Sequence, residues 1–293
     1  MNESINFNRE IGFKYAKDVI KSYAKSFYLA SQMLPKDKRE GAYAVYCFCR
    51  YADNIVDNPR NRTREEILFE IDSLKKEIEL LYKYGESEHP ALMAFAFTVK
   101  EYKIPIKYPL ELIEGMLMDL NELRYNTFEE LYLFCYRVAS TVGLMMCYVL
   151  GFKDEIALEY AEKLGIGMQL TNILRDIQED LNNDRFYLPI DELNEYNLSI
   201  DNFKNKIFND DFKKYMIFNV ERARKYYDEA ENGIPILDKD ARFAIYGASR
   251  IYSGILEKII ANDYNPFKGR VFVPKPEKIR LLLNEIVKTK LSK

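Results

Sequence analysis

GIGMQLTNILRDIQED, residues 165–180, is the stretch that decides the fold class and locates the chemistry. Its small and polar residues recur every three or four positions, so they share one face of a helix. That face consists of Gly165, Gln169, Asn172, Asp176 and Asp180. Aliphatic residues flank it, unlike an ordinary solvated helix surface, and an ionised carboxylate buried there without a partner would cost several kcal/mol. The stretch therefore predicts a helix that carries a polar site at the edge of an apolar core.

A second acid pair stands nearer the start of the chain. Asp53 and Asp57 lie at the end of a helix predicted over 36–57, and their spacing of four places both carboxylates on one face, about 6 Å apart along the axis. On its own this spacing is common on solvated helices. Residues 42–49, however, are almost wholly apolar and predict a buried helix. The pair is therefore expected at the end of a core element.

Two such helix faces opposite each other would gather four carboxylates around one space. Oxygen ligands favour a hard cation such as Mg²⁺, which keeps several waters and bridges carboxylates to substrate phosphates. We therefore expect a diphosphate ligand. The planar fork of arginine suits phosphate oxygens. The candidate arginines are Arg50, Arg175, Arg185, Arg250 and Arg270.

The rest of the chain also has helical periodicity, and no stretch alternates as a strand would. Prolines stand where helices can begin, and two Thr-x-x-Glu capping boxes mark further starts. The predicted starts are Pro35, Thr63, Pro90, Pro109, Thr127 and Pro276, with the helix from Thr127 running to about Leu150. Longer helices are predicted over 154–182, 209–231 and 238–262. We expect one all-α domain over residues 1–293, with many helices around a common centre.

Composition excludes several classes of function. The 293 residues (34.6 kDa) hold 43 Lys and Arg against 46 Asp and Glu. This balance lacks the basic excess of a nucleic-acid binder, so no nucleic acid is expected as a partner. His89 is the single histidine, which excludes a metal site built from several histidines.

The sequence also favours a cytoplasmic location. The four cysteines lack metal-site or redox spacing and lie in apolar stretches, which indicates reduced thiols. The first residues do not form a signal peptide. The longest near-apolar stretch, Ala139–Phe152, has 14 residues, whereas a membrane span needs about 20.

Aromatic residues add a further indication. The chain has 23 Tyr and 18 Phe, and most belong to apolar helix faces. A cavity lined by their rings would stabilise a cationic intermediate. The small residues Ala139, Ser140 and Gly143 would leave room for such a cavity in the centre of the bundle.

Over essentially its full length the chain resembles the squalene/phytoene synthase family. The second acid motif with its QLTNILRD approach is highly specific, and six blocks occur in order. These are AKSFYLAS (24–31), YCFCRYADNIVDN (46–58), ELIEGMLMDL (111–120), LYLFCYRVASTVGLM (131–145), LGIGMQLTNILRDIQEDLNNDRFYLP (164–189) and SRIYSGIL (249–256).

The resemblance implies the all-helical isoprenoid synthase fold, with the site in a central cavity. It implies head-to-head joining of two identical prenyl diphosphates through a cyclopropylcarbinyl diphosphate. A cluster of two or three Mg²⁺ ions would be held by Asp53, Asp57, Asn172, Asp176 and Asp180.

The resemblance also assigns residues by position. The four aspartates would be catalytic, together with Tyr136 and Tyr252, which would contact diphosphate or guide the second half-reaction. The residues implied to bind substrate are Ser26, Phe27, Tyr46, Arg50, Gln169, Asn172, Arg175, Arg185, Arg270 and Lys278.

The product depends on the cofactor and on chain length. Squalene formation needs a hydride, whereas dehydrosqualene or phytoene formation needs only proton loss. Gly165 and Gly167 lack the third glycine of a dinucleotide fingerprint, so we expect no NADPH. At the expected cavity floor, small Ser31 would admit a C20 chain, while bulky Tyr43 would close the pocket for C15. The interpretation preferred on sequence is dehydrosqualene (4,4'-diapophytoene) from two farnesyl diphosphates. The alternative is phytoene from two geranylgeranyl diphosphates.

Other interpretations stay open. They are an NADPH-dependent squalene synthase, a terpene cyclase or chain-elongating enzyme, and a non-enzymatic assembly factor. Elongating enzymes usually carry DDxxD, which neither motif has, and an assembly factor would show degenerate acid motifs. The apolar product leads us to expect transient peripheral membrane contact, although no helix shows a clear basic amphipathic face in the sequence. No oligomeric state is predicted.

Overall fold

The computed structural model describes residues 2–24, 27–28, 31–57, 61–121 and 124–291. Within these ranges every regular element is a helix, and the only extended pairing is an isolated bridge between Phe152 and Leu237. The all-α prediction is confirmed.

The helices follow one another with short connections. In chain order they are α1 (Asn2–Tyr23), α2 (Lys36–Asp57), α3 (Arg64–Tyr84), α4 (Pro90–Tyr102), α5 (Lys107–Leu120), α6 (Phe128–Cys135), α7 (Thr141–Leu150), α8 (Ile156–Asn182), α9 (Ile190–Glu195), α10 (Ile200–Lys204), α11 (Asp210–Glu231), α12 (Arg242–Ala261) and α13 (Lys275–Leu291). A π-helical turn, Tyr136–Ser140, joins α6 to α7, and 3₁₀ turns cover Ile234–Ile236 and Pro266–Lys268.

Helix starts follow the local chemistry of the sequence. Thr63 forms the predicted capping box, since its Oγ1 accepts from the Glu66 N–H at 3.2 Å and the Glu66 carboxylate accepts from its N–H at 2.7 Å. Pro35 directly precedes α2, Pro90 opens α4, and Pro109 and Pro276 lie in the first turns of α5 and α13. The predicted helix over 238–262 begins later, because the 3₁₀ turn at 234–236 and the segment up to 241 come first.

The single histidine has a structural role. His89 precedes α4, and its Nδ1 accepts a hydrogen bond from the Ala91 N–H at 3.3 Å. Its ring also packs on Tyr51, with ring centroids 4.3 Å apart. His89 is therefore a helix cap.

Gly165 brings α8 against the π-helical turn. A Cβ atom on Gly165 would lie 2.4 Å from the Cα atom of Ser140, a separation that only glycine avoids. The Ser140 hydroxyl donates to the Glu162 carbonyl oxygen at 2.7 Å, which fastens the same contact. The first residue of the polar face thus sets how closely two central helices approach.

One continuous helical segment passes a membrane-span test. Phe128–Leu150 is long and apolar enough to cross a bilayer by length and composition. It exceeds the 14-residue stretch seen in the sequence because it includes polar residues such as Arg137. Half of its most apolar window is buried inside the protein. Because it packs against α2, α5 and α8, it is a core helix of this fold.

Two large hydrophobic clusters form the core. The first joins α2, α3, α4, α5 and α7, and the second joins α6, α8, α11 and α12. The π-helical turn contributes to both clusters through Tyr136 and Val138. The two helices that carry the acid pairs, α2 and α8, thus belong to different clusters, and the site lies where the clusters meet.

Candidate active site

A cavity of about 750 Å³ lies between α1, α2, α7, α8, α12 and α13. Much of its wall is made of small side chains spaced four apart on facing helices, which leaves the centre of the bundle open. These residues are Ala139, Gly143, Ala157, Ala161, Gly165, Ala244 and Ala248. Leu150, Ile234 and Leu237 also line it. The volume lies in the upper part of the range of about 300–1,000 Å³ that is usual for ligand pockets.

The polar part of the lining lies beside the first acid pair. Tyr46, Arg175, Tyr252 and Lys278 all line the cavity. Burial raises the pKa of Tyr46, and the charge of Asp53 raises it further. The cavity therefore has a polar end next to the end of α2.

The two carboxylates of the first pair have different surroundings. Burial raises the pKa of Asp53 to about 7, and the neighbouring charge of Asp57 adds to this, while Arg50 opposes it. Asp57 is half exposed and lies 3.5 Å from the Arg185 guanidinium. Asp53 is thus the member of the pair whose negative charge lacks compensation.

The second pair divides in the same way. Burial raises the pKa of Asp180 to about 7, with a further contribution from Asp176. The Asp176 carboxylate accepts two hydrogen bonds from Arg175, at 2.8 and 2.5 Å, and its Oδ1 lies 2.8 Å from Nε of Arg270. Two arginines therefore neutralise Asp176, whereas the charge of Arg185 only partly offsets the burial of Asp180.

A fifth carboxylate, Asp119 of α5, joins the two pairs. It accepts a hydrogen bond from the Tyr187 hydroxyl at 2.5 Å, and its Oδ2 lies 3.1 Å from Nη2 of Arg185. Its charge contributes to the raised pKa of both Asp53 and Asp180. Both acid pairs therefore face one space that also contains Asp119.

Sequence reasoning missed Asp119 although it lies in one of the six blocks. It has no acid four positions away, so no periodic pair marks it. The available signal was a single aspartate between Met118 and Leu120, directly after the apolar residues 116–118. Its side chain is 14% exposed, which places it inside the site.

The donor set fits Mg²⁺. The Asn172 Oδ1 atom is buried and has no hydrogen-bond partner among the described residues, while its Nδ2 donates to Gln169 Oε1 at 3.4 Å. Beside it stand carboxylates whose raised pKa values reflect uncompensated charge. Unpartnered amide and carboxylate oxygens are the ligands of a hard cation. Asp53, Asp57, Asn172, Asp176 and Asp180 would hold such ions.

The carboxylates do not form a closed metal site by themselves. In the described part of the chain, no three Asp, Glu, His or Cys side chains converge as a ready metal-binding group. Mg²⁺ commonly takes one or two carboxylates and completes its shell with water and substrate phosphate. The arrangement therefore fits ions that are shared with a diphosphate.

The predicted anion-binding residues divide into two groups. Arg50 has a buried Nε that lacks a hydrogen-bond partner among the described residues, and its guanidinium lies 4.9 Å from the Tyr23 ring centroid. Arg175, Arg185 and Arg270 instead contact carboxylates of the site. Arg250 lies elsewhere, since its guanidinium donates to Glu231 at 2.8 Å. Arg250 is not among the described residues that line the cavity, and its role as a phosphate ligand stays a prediction.

The remaining predicted residues have mixed positions. Phe27 lines the cavity, as expected. Gln169 and Tyr136 are not among the described residues of its lining. Gln169 contacts Asn172, and Tyr136 packs between the two core clusters. Ser26 lies outside the described residues.

Ser31 and Tyr43 are the residues expected at the cavity floor. Ser31 and Tyr43 are both buried, but neither is among the described lining residues. The Tyr43 hydroxyl accepts from Ser31 Oγ at 3.2 Å and from Gln32 Nε2 at 2.6 Å. Its ring stacks on Tyr28. Tyr43 thus packs in a cluster with the cavity-lining residues Ala24, Phe27 and Tyr46, without being among the described residues of the lining itself.

Asp53→Asn and Asp180→Asn should each stabilise the metal-free protein at pH 8. The folded carboxyls hold a proton that the unfolded chain loses near pH 4, so the free energy of unfolding falls as the pH rises from about 4 to about 7. Removing one charge should raise the Tm by about 2–4 °C at pH 8 and by less at pH 5. Thermal melts at both pH values measure this.

The matched control is Asp228→Asn, which removes an exposed helical carboxylate. Mg²⁺ with inorganic diphosphate should raise the Tm of the wild type and of the control, more at pH 8 than at pH 5, and raise it less in both site variants. Loss of several degrees in metal-free Asp53→Asn at pH 8 would instead show that its carboxylate is a structural partner.

Comparison with known proteins places this geometry in a family. The squalene/phytoene synthase model matches residues 20–277. Over 285 residues the chain is 38% identical to 15-cis-phytoene synthase of Synechocystis sp., covering 93% of this chain and 84% of that protein. It is 38% identical over 272 residues to phytoene synthase 1 of Arabidopsis thaliana, covering 90% of this chain and 64% of that protein.

Solved structures agree with the sequence matches. A dehydrosqualene synthase in complex with ligand superposes with a TM-score of 0.88 at 28% identity, covering 96% of this chain and 98% of the other. The squalene synthase HpnC from Alicyclobacillus acidocaldarius superposes with a TM-score of 0.81 at 25% identity, covering 87% of this chain and 95% of the other. The family model spans most of the chain, and close relatives and structures match it nearly end to end. This chain therefore belongs to the squalene/phytoene synthase family.

Proposed function

We propose that this prenyltransferase is a phytoene synthase, which joins two geranylgeranyl diphosphates head to head with Mg²⁺ and without NADPH. The observation that carries the proposal is the cavity of about 750 Å³ whose polar lining residues adjoin both acid pairs, since Arg175 donates to Asp176 and Tyr46 feels the charge of Asp53. Relatives named phytoene synthase at 36–38% identity support this substrate over farnesyl diphosphate.

The polar end is suited to hold the diphosphate. Arg175 and Lys278 line the cavity, and Arg50 has a buried Nε–H without a hydrogen-bond partner among the described residues. Arg175 and Arg270 lie on Asp176, so a diphosphate that arrives with its cations gives both arginines a new acceptor. Mg²⁺, when bound, supplies the positive charge that makes diphosphate a good leaving group.

The apolar part is suited to the cation that remains. When the carbon–oxygen bond to diphosphate breaks, the prenyl chain keeps an allylic cation inside a wall of aliphatic and aromatic side chains. The rings of Phe27, Tyr46 and Tyr252 line this space and can stabilise positive charge through their faces. The enclosed wall also keeps water from quenching the cation.

The double bond of the second substrate then attacks the cation, and loss of a proton gives the cyclopropylcarbinyl diphosphate. Its ionisation and rearrangement, with loss of a second proton, give the linear C40 hydrocarbon. Each half-reaction releases one diphosphate and one proton, so no reductant is consumed. The expectation that NADPH is not used rests on this balance.

The C20 substrate replaces the C15 substrate preferred on sequence. The described lining of the cavity does not include Tyr43, whose hydroxyl accepts from Gln32 Nε2 at 2.6 Å, so Tyr43 gives no support for a pocket closed at C15 length. The cavity instead continues between α7, α8 and α12, where alanine and glycine line the wall. Small side chains along this route leave length for a longer chain.

A product assay tests the proposal directly. Purified protein with Mg²⁺ would receive farnesyl or geranylgeranyl diphosphate, each with and without NADPH, and hydrocarbons would be identified by mass. We expect a C40 product from geranylgeranyl diphosphate, with equal yield when NADPH is omitted. Faster formation of a C30 product from farnesyl diphosphate would return the assignment to dehydrosqualene synthase.

The same assay separates the other interpretations. A reduced product that forms only with NADPH would indicate squalene synthase. Diphosphate release with an uncoupled hydrocarbon would indicate a cyclase. No turnover, together with full biological activity of Asp53→Asn, would indicate an assembly factor.

Ala161 offers a test of cavity length. It lines the cavity on α8, and its carbonyl oxygen would lie 3.1 Å from a Cβ atom on Gly143 of α7. In the series Ala161→Ser, →Leu and →Phe, turnover of geranylgeranyl diphosphate should fall progressively, by at least about tenfold for Phe. Farnesyl diphosphate turnover should persist or increase.

Ala161→Ser is the matched control because it nearly preserves volume. Competition assays with both substrates measure the ratio of kcat/KM values, which is insensitive to a general loss of active protein. An unchanged ratio in Ala161→Phe would show that the chains do not pass this point.

A further inference from the structure

Helix α13 exposes an apolar stripe to solvent. Ile279, Leu283 and Val287 are 47%, 55% and 53% exposed and stand four residues apart, so they share one face. Phe272, just before the helix, is 69% exposed. Scattered exposed apolar residues are ordinary, whereas a continuous stripe marks an interaction surface.

The stripe borders the cavity. Lys278 and Leu282 of the same helix line the cavity, so α13 is a wall with one face inward and the apolar stripe outward. Tyr23 at the end of α1 also lines the cavity and is 62% exposed. An apolar molecule that leaves between α1 and α13 would therefore meet apolar side chains at once.

The charged residues of α13 indicate which kind of partner fits this helix. The sequence of α13 has five basic residues, at 275, 278, 280, 288 and 290, and two acids, at 277 and 285, although the whole chain carries −3. Both acids are paired: Glu277 lies 2.8 Å from Lys258, and buried Glu285 lies 2.9 Å from Lys288. Lys275 and Arg280 are exposed beside the stripe.

We infer that this face of α13 docks on an anionic lipid bilayer, with the apolar stripe in the headgroup boundary and the basic residues on lipid phosphates. An amphipathic helix with a basic polar face binds bilayers in this way. The further role, delivery of the apolar product into the bilayer, rests on the proposed function. A symmetric contact with a second copy is disfavoured because it would set the same basic helix against itself.

Helix α3 provides the internal comparison. It exposes Phe69, Leu80 and Tyr84, at 72%, 52% and 64%. Its sequence, however, has six acidic residues and four basic ones. An anionic bilayer would repel this face, although it exposes as much apolar surface.

Vesicle co-sedimentation tests the docking surface without substrate. Phosphatidylcholine vesicles with and without phosphatidylglycerol would be compared, for wild type and for Ile279→Gln/Leu283→Gln/Val287→Gln. The matched control is Phe69→Gln/Leu80→Gln/Tyr84→Gln in α3. We expect the wild type and the control to bind anionic vesicles and the α13 variant to lose binding. Each of Lys275→Gln and Arg280→Gln should weaken binding about fivefold.

Three results would overturn the inference: no binding of the wild type to anionic vesicles, equal binding by the α13 variant, or loss of binding in the α3 variant alone. Sedimentation velocity tests the alternative that a second copy of the chain covers the stripe. A wild-type dimer that becomes a monomer in the α13 variant, with vesicle binding unchanged, would assign the stripe to a second copy. Thermal melts of each variant confirm folding.

Turnover separates this inference from the proposed function. In single-turnover reactions with detergent, the α13 variant should form product as the wild type does. Without detergent, its multiple turnover should no longer be stimulated by anionic vesicles. Vesicle binding by a chain that forms no C40 product would reject the proposed function and leave the docking surface standing.

Discussion

The burial of negative charge beside an apolar cavity is the constraint on which the rest of the structure depends. Burial raises the pKa of Asp53 and of Asp180 to about 7, although the charges of Arg50 and Arg185 oppose this. Asp119 adds a fifth carboxylate to the same space. Such an arrangement is unfavourable in the protein alone and becomes favourable when cations arrive. The fold therefore holds a site that bound cations and a diphosphate would stabilise.

Internal arginines balance part of this charge. Arg175 and Arg270 hold Asp176, and Arg185 connects Asp57 with Asp119. The resemblance assigns these same arginines to the diphosphate, so ligand binding would exchange a carboxylate for a phosphate at each of them. This exchange costs less free energy than leaving a buried guanidinium without a partner, because a phosphate replaces a carboxylate as the charged acceptor. Arg50, whose buried Nε lacks a partner among the described residues, needs no such exchange.

The sequence predicted those features that depend on local periodicity. Most helix starts and the position of the two acid pairs near helix ends follow from spacing, and the structure agrees. Features set by tertiary packing were missed or misplaced. Asp119 has no periodic partner, Arg250 donates to Glu231, and Tyr43 accepts from Gln32 without being among the described lining residues. The exposed face of α13 was also missed, because the sequence does not show which side of an amphipathic helix the bundle covers.

The central claim is that carboxylates of both pairs share their cations with one diphosphate at the end of the apolar cavity. A crystal structure with Mg²⁺ and an unreactive thiodiphosphate analogue of geranylgeranyl diphosphate would test it most directly. The account predicts metal ions between the diphosphate and Asp53, Asp176 and Asp180, with Arg270 released from Asp176 and the prenyl chain beside Ala161. Metal ions bound away from these aspartates, or a prenyl chain outside the cavity, would contradict it.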